Sequence, residues 1–120
     1  MRTFDLTTDY ETYKDCFFAL NNYQMNESLA IDIWNYEDGP IARLTVCLGN
    51  VSNENSAYID TNNCSWAENF IKEMQLGKPT GKTCRSGFCV YPEYEFNIDK
   101  LRDYMADEFE DEDYMSKEEE

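Results

Sequence analysis

The chain has 120 residues and carries 25 acidic against 10 basic side chains, a formal net charge of −15 at neutral pH. This length suits one domain with a single core, and a hydrophobic content of 42% is typical of a folded protein. The charge disfavours binding to nucleic acid or to an anionic membrane surface, and no apolar run approaches the ~18 residues of a membrane-spanning helix.

The acidic residues are concentrated at the C-terminal end of the chain. Residues 103–120 hold ten carboxylates and one lysine, and therefore nine of the fifteen net negative charges. A local field of one sign is typical of a segment that meets a partner or keeps a small protein in solution. The N-terminal residues lack an export pattern, so we expect the five cysteines to be thiols in a reducing cytoplasm.

The first half of the chain is predicted to form strands. Residues 12–20 mix β-branched and aromatic side chains and favour a strand, with a helix as the alternative. Residues 29–35 and 41–48 each alternate apolar and polar positions, which indicates strands with one buried face. The sequence Glu-Asp-Gly-Pro at 37–40 is typical of a turn, so these two strands are predicted to pair as a hairpin. A short strand is predicted at 57–60.

A helix is predicted over residues 66–74, where apolar side chains recur at helical spacing. These side chains are Trp66, Phe70, Ile71 and Met74. Polar side chains at 61–63 are expected to cap the start of the helix and Gly77 its end, and Pro79 forbids continuation. Residues 77–87 are rich in glycine and basic side chains and are predicted to form a loop.

A strand and a second helix complete the folded part. Residues 88–97 favour a strand that is interrupted at Pro92. Asp99 is expected to cap a helix that continues to Phe109. The apolar residues that share one face of this helix are Leu101, Tyr104, Met105 and Phe109.

The order of these elements predicts the fold class. Strands followed by helix, strand and helix indicate an α+β domain, with a small antiparallel sheet and two helices packed on it. We expect this single domain to span residues 1–109 and an acidic, flexible tail to span residues 110–120.

The sequence holds no motif for catalysis, metal binding or nucleotide binding. The run GKPTGKT at 77–83 has one residue too few between its glycines for a phosphate-binding loop, and it follows a helix instead of a strand. There is no C-x-x-C pair and no histidine, which removes the usual zinc ligands and the commonest general base. We therefore predict a protein that is not an enzyme and has no cofactor or metal. The basic residues of 77–87 are predicted to be solvated; docking on carboxylates of the tail or of a partner is the alternative.

The acidic tail has three interpretations. It is a solubilising end, a mimic of DNA in which carboxylates replace phosphates, or a segment that docks on a protein. Phe109, Tyr114 and Met115 favour docking, because aromatic side chains carry binding energy while charge mostly sets the association rate. The net charge of −6 over the remaining residues is too dilute to make mimicry the first choice.

The candidate partner-binding residues are aromatic side chains of the body together with charged and aromatic side chains of the tail. They are Trp34, Tyr36, Tyr91, Tyr94, Asp107, Glu108, Phe109, Glu110, Asp111 and Tyr114. We expect the packed body to supply most of the contact area, and the tail to steer association and add an anchor.

Several runs from residue 42 onward resemble one family of small proteins carried by phages and mobile elements. They are ARLTVCL (42–48), AYIDTNN (57–63), WAENFI (66–71), LGKPTG (76–81) and RSGFCVYPEYEFN (85–97). The most specific is SGFCVYPEYEF, and together the runs cover about half of the chain. Within that family, the length, acidity and tail are similar to those of the phage anti-defence proteins that inhibit the bacterial defence-associated sirtuin, an NAD hydrolase.

This resemblance implies a function and a partner. The protein is expected to bind a host defence-associated sirtuin, block its activation and so preserve NAD in the cytoplasm of the infected or lysogenic bacterium. The resemblance implies no catalytic residue. From the charge and the lack of a long apolar run, we expect no direct contact with nucleic acid and no membrane, and self-association stays open. A DNA mimic that inhibits a restriction or CRISPR nuclease remains the alternative.

Overall fold

The computed structural model of the chain describes residues 2–106. The strands are β1 (Phe4–Thr7), β2 (Thr12–Asn22), β3 (Leu29–Asn35), β4 (Gly39–Arg43), β5 (Thr45–Val46), β6 (Ser56–Ile59), β7 (Gly77–Ser86) and β8 (Cys89–Phe96), and the helices are α1 (Ala67–Met74) and α2 (Ile98–Arg102). Neighbouring strands pair antiparallel in two four-stranded sheets, of order β1-β2-β3-β4 and β5-β6-β8-β7. The α+β class is confirmed in this coarse sense, but the strands form two sheets instead of the one expected.

The predicted hairpin of β3 and β4 is confirmed. The two strands pair antiparallel, with Asp32 opposite Arg43 and Asn35 opposite Gly39. Gly39 has a φ of +78°, which glycine adopts without strain and which closes the turn. The side chains of Asp32 and Arg43 also form a two-pronged ion pair, with N–O distances of 2.6 and 2.9 Å. Leu29, Ile31 and Ile33, which the alternation of residues 29–35 places on one face, are all buried.

Leu44 joins the two sheets. The run 41–48 is divided there, since β4 ends just before this residue and β5 begins just after it. The Leu44 amide donates to the Ile31 carbonyl at 2.8 Å, and its own carbonyl accepts from the Asp60 amide at 2.9 Å. Leu44 is therefore bonded to β3 and to the residue that follows β6, and its fully buried side chain is part of the core.

One hydrophobic cluster takes residues from both sheets and both helices. Its members include Phe4, Phe18, Ile31, Leu44, Ala57, Ile71 and Leu101. At one end of it the ring of Phe4 lies 4.7 Å from that of Phe18 and 5.4 Å from that of Phe70, centroid to centroid. Such tilted aromatic contacts add to the free energy gained by burial of the rings.

The prediction of a loop at residues 77–87 is wrong, because most of this segment is strand β7. It pairs with β8 at both ends, and the register shifts between Pro79 and Thr83, around Gly81 at a φ of +92°. Lysine and proline are common on an edge strand, where they oppose pairing with other chains. β8 supplies the partner groups for the backbone of β7, so the strand forms without an alternating apolar pattern.

Two helix ends differ from the prediction. The N-terminal cap of α1 is Trp66, which makes no capping bond with its side chain, and the C-terminal cap is Gln75 in the left-handed region at a φ of 57°. Gly77 is needed for another reason, since a Cβ there would lie 2.4 Å from the Glu95 carbonyl oxygen. Strand β1 was not predicted at all.

The second helix is shorter than the one predicted from Asp99 to Phe109. Its N-terminal cap is Asn97, whose side chain accepts from the Lys100 amide, and the last helical residue is Arg102. Beyond it, the Tyr104 carbonyl accepts from the Phe18 amide at 2.8 Å, so the chain leaves the helix to bond to β2. Residues 107–120, with the predicted end of this helix and the tail, lie outside the described residues. No helix within residues 2–106 is both long and apolar enough to cross a membrane.

Candidate functional site

The outer part of the β7–β8 hairpin projects from its sheet. Strand β6 pairs with β8 at Glu93, Tyr94 and Glu95. Further out, from the pair Thr83–Pro92 to the turn, β7 and β8 pair with each other alone in the part of the chain that the structure describes. We call residues 82–92 the arm.

The turn of the arm exposes a phenylalanine to solvent. Ser86 and Cys89 are the last paired residues, so Gly87 and Phe88 form a two-residue turn. Gly87 has a φ of +62°, and a Gly-X pair is typical of such tight hairpin turns. The Phe88 side chain is fully exposed and that of Val90 is 45% exposed. The arm therefore presents apolar surface at its tip.

The buried carboxylate of Glu93 anchors the base of the arm. It has no exposed surface, and it accepts bonds from the Ser52 amide at 2.7 Å, the Ser52 hydroxyl at 2.6 Å and the Thr80 hydroxyl at 2.5 Å. Burial by itself raises the pKa of this carboxyl, but the Ser52 and Thr80 bonds, aided by the charge of Lys82, lower it below its ordinary value. Glu93 is therefore ionised at neutral pH.

One further bond ties the loop between β5 and β6 to the arm, and a second ties the same loop to β6. The Lys82 ammonium and the Tyr58 hydroxyl both donate to the Asn50 carbonyl at 2.8 Å. Together with Ser52, they hold the loop between β5 and β6 against the base of β7 and β8. The arm therefore leaves the sheet from a base that is fixed on both of its strands.

The segment from Gly77 to Pro92 is positively charged on a molecule that is negatively charged overall. From Gly77 to Pro92 the chain contains Lys78, Lys82 and Arg85 and no acidic residue, whereas the whole chain has a net charge of −15. All three basic side chains belong to exposed residues. A local charge opposite to that of the rest of the molecule orients the approach of a partner.

A groove of about 800 Å³ lies between α1 and the base of the hairpin. The residues that line it include Glu68, Lys72, Gln75, Lys78, Tyr94 and Phe96. The buried Tyr94 donates its hydroxyl to the Glu68 carboxylate at 2.7 Å, and burial with this bond raises the pKa of Tyr94 to about 12. The groove therefore has charges of both signs around a protonated tyrosine.

The structure separates the candidate residues of the body into three places. Trp34 is half-buried and Tyr36 is 70% exposed, both at the end of β3, where the Phe17 ring lies 4.8 Å from that of Tyr36. Tyr91 is half-buried on the arm, and Tyr94 lines the groove. The candidates of the tail, Asp107, Glu108, Phe109, Glu110, Asp111 and Tyr114, lie outside the described residues.

Sequence reasoning missed Phe88, the most exposed aromatic residue of the arm. It was assigned to the strand 88–97, although the preceding glycine in Ser-Gly-Phe is a turn signal. Recognition of β7 as a strand would have placed Gly87 and Phe88 between two paired strands, and therefore at a hairpin tip.

The cysteines are all free thiols. Burial raises the pKa of both Cys16 and Cys64 to about 11, which makes them poor nucleophiles. Within residues 2–106, no group of three or more aspartate, glutamate, cysteine or histidine side chains is placed to hold a metal ion.

Comparison with known proteins assigns the chain to a family. The family model described as "Domain of unknown function (DUF4313)" matches residues 17–115, which is most of the chain. The chain therefore belongs to this family. No curated protein and no solved structure matches it.

Proposed function

We propose that this member of the DUF4313 family is a phage-encoded inhibitor of a bacterial anti-phage defence protein. It binds a sirtuin-type NAD hydrolase in the cytoplasm of the infected or lysogenic host and blocks its activation, so that NAD is not depleted. The observation that carries the proposal is the position of SGFCVYPEYEF, the stretch most specific to the resemblance. It forms the tip of the arm and the whole of strand β8, with Phe88 fully exposed.

An exposed aromatic side chain supports protein binding. Phe88 is fully exposed at the hairpin tip, and aromatic side chains are enriched among residues that contribute most to interfaces. The bonds that Glu93 accepts and the bond that Lys82 donates hold the arm in place before a partner arrives. A pre-ordered surface loses less conformational entropy on binding than a mobile one.

Inhibition by binding differs from inhibition by an enzyme in its dependence on concentration. A stoichiometric inhibitor removes NAD hydrolysis in proportion to the amount added, and inhibition is complete at a fixed molar ratio. A catalytic antagonist would act at a small fraction of that ratio. We expect stoichiometric inhibition, because no reaction is proposed for this chain.

The test is a pull-down with a purified defence-associated sirtuin, combined with an NAD hydrolysis assay in the presence of the activator of that enzyme. We expect the protein to be retained by the sirtuin and NAD to be preserved at a fixed molar ratio. Absence of binding, or full NAD hydrolysis at saturating protein, would refute the proposal.

The alternative is a DNA mimic that occupies a restriction or CRISPR nuclease, and it is favoured by the net charge of −15. Inhibition would then compete with DNA and would be lost when the carboxylates of residues 107–113 are neutralised. The basic segment from Gly77 to Pro92 opposes mimicry by this part of the surface, because a face that replaces DNA is negatively charged.

A further inference from the structure

We infer that the arm is the part of this protein that enters its partner, and that the receiving site is an apolar pocket bordered by carboxylates. The inference rests on the proposed function, since it assigns the contact surface of the same inhibitor. It is carried by the exposure of Phe88 and Val90 and by the charge of the surrounding residues.

The apolar tip defines the centre of the receiving site. A phenylalanine buries ~150–250 Å² of surface when it enters a pocket, and Phe88 is fully exposed beforehand. Val90 follows two residues later, so the two side chains extend the apolar surface from the turn into β8. A pocket that accepts the ring and covers Val90 would remove this surface from water.

The charges of the arm define the border of the receiving site. Arg85 pairs with Val90 across the hairpin, so its guanidinium belongs to the same end of the arm as the exposed apolar residues. Lys82 lies at the base, with its ammonium on the Asn50 carbonyl. No acidic residue occurs from Gly77 to Pro92, so carboxylates of the partner are complementary in charge to the arm.

Nucleic acid and a second copy of the chain are the competing occupants. Three cations beside a net charge of −15 give little attraction for a phosphate backbone, because the rest of the molecule repels it. A second copy would supply carboxylates, but each chain would also bring the same overall negative charge to the contact. The charges of the arm therefore favour a different protein with a local acidic site.

The test compares the binding of purified variants to a purified defence-associated sirtuin by calorimetry and by association kinetics. We expect Phe88→Ser to weaken binding by about 30-fold or more, the effect of removing a central aromatic anchor. Arg85→Glu places a like charge beside the carboxylates of the partner, and we expect its binding to be about 10-fold weaker than that of wild type. This difference in affinity should narrow as the NaCl concentration is raised.

Matched controls separate the arm from general surface effects. Tyr10→Ser removes an aromatic residue that is 93% exposed in another part of the molecule, and Lys14→Glu reverses an exposed charge on β2. Both controls are expected to bind within about twofold of wild type. All variants are checked by thermal unfolding, and Phe88→Lys serves as a second variant if Phe88→Ser is less stable than wild type.

Each outcome supports or overturns the inference. Wild-type affinity in both Phe88 variants overturns the assignment of the arm and leaves the proposed function standing. Tighter binding by Arg85→Glu overturns the inference that carboxylates border the receiving pocket. Binding of duplex DNA that depends on Phe88 or Arg85, or a dimer that Phe88→Ser dissociates, assigns the arm to a different occupant. Absence of wild-type binding overturns the proposed function and the inference with it.

Discussion

Replacement of Glu93 by glutamine tests whether the buried carboxylate stabilises the base of the arm. In the native protein one oxygen accepts from the hydroxyls of Ser52 and Thr80, and the other accepts from the Ser52 amide. Glutamine has the same shape but only one acceptor oxygen. If that oxygen still accepts from the two hydroxyls, the new NH₂ group faces the Ser52 amide. The buried Ser52 N–H then loses its acceptor.

The magnitude follows from these three bonds. A buried donor that loses its acceptor costs about 1–3 kcal/mol. The two remaining bonds become neutral, and each is weaker by about 1 kcal/mol than its charge-assisted form. Removal of a buried charge offsets part of this loss. We expect Glu93→Gln to lower the free energy of unfolding by about 2–3 kcal/mol, which for a domain of this size lowers the Tm by about 10 °C.

The measurement is thermal unfolding followed by circular dichroism as a function of pH. Because the pKa of Glu93 in the folded protein lies below its ordinary value of 4.5, its charge stabilises the fold fully above that value. This contribution is lost as the pH falls through the folded-state pKa. The difference in Tm between wild type and Glu93→Gln should therefore be constant near neutral pH and shrink in acid.

Glu73→Gln is the matched control, because it removes one carboxylate charge from an exposed position on α1. Its Tm should lie within about 2 °C of wild type, since exposed substitutions change stability by about 0.5 kcal/mol or less. Equal Tm values for the two variants at neutral pH, or a difference that does not shrink in acid, would refute the reasoning.

Three further predictions concern packing and thiol chemistry. Gly77→Ala should lower the free energy of unfolding in urea by about 3 kcal/mol or more, because its Cβ would meet a backbone carbonyl at 2.4 Å. The control Gly49→Ala makes only ordinary contact and should stay within about 1 kcal/mol of wild type; similar free energies of unfolding for the two variants would contradict this. Cys16 and Cys64 should resist Ellman's reagent at pH 8, since they are buried with pKa values of about 11. At most three of the five thiols should therefore react until denaturant is added; rapid reaction of all five thiols would contradict this. Leu44→Ala should cost about 3–4 kcal/mol in the same urea titration, because a fully buried leucine is lost where the two sheets meet; a cost below 1 kcal/mol would show that the joint is loosely packed.

Local patterns of the sequence predicted the β3–β4 hairpin and helix α1. The alternation of residues 29–35 places Ile31 and Ile33 on the buried face, and Gly39 supplies the φ of +78° that the turn needs. In α1, the helical spacing of apolar residues brings Ile71 into the core. Both predictions succeeded because the information lies within a few adjacent residues.

Strand β7 and the length of α2 were not predictable in this way. The backbone of β7 is paired by β8, so its formation depends on a neighbour instead of on its own lysine- and glycine-rich pattern. Helix α2 ends early because the chain after it bonds to β2, through the Tyr104 carbonyl and the Phe18 amide. In each case a contact between distant segments decided the outcome over local propensity.

The sequence by itself determined the class of the domain, the acidic character of the chain and the concentration of basic residues at 77–87. Only the tertiary structure decided that this basic segment is one strand of a projecting arm with Phe88 at its tip. The carboxylate of Glu93 shows the reason, since its partner Ser52 lies 41 residues earlier in the chain. Burial and bonding of such side chains depend on which segments pair, and no local pattern carries that information.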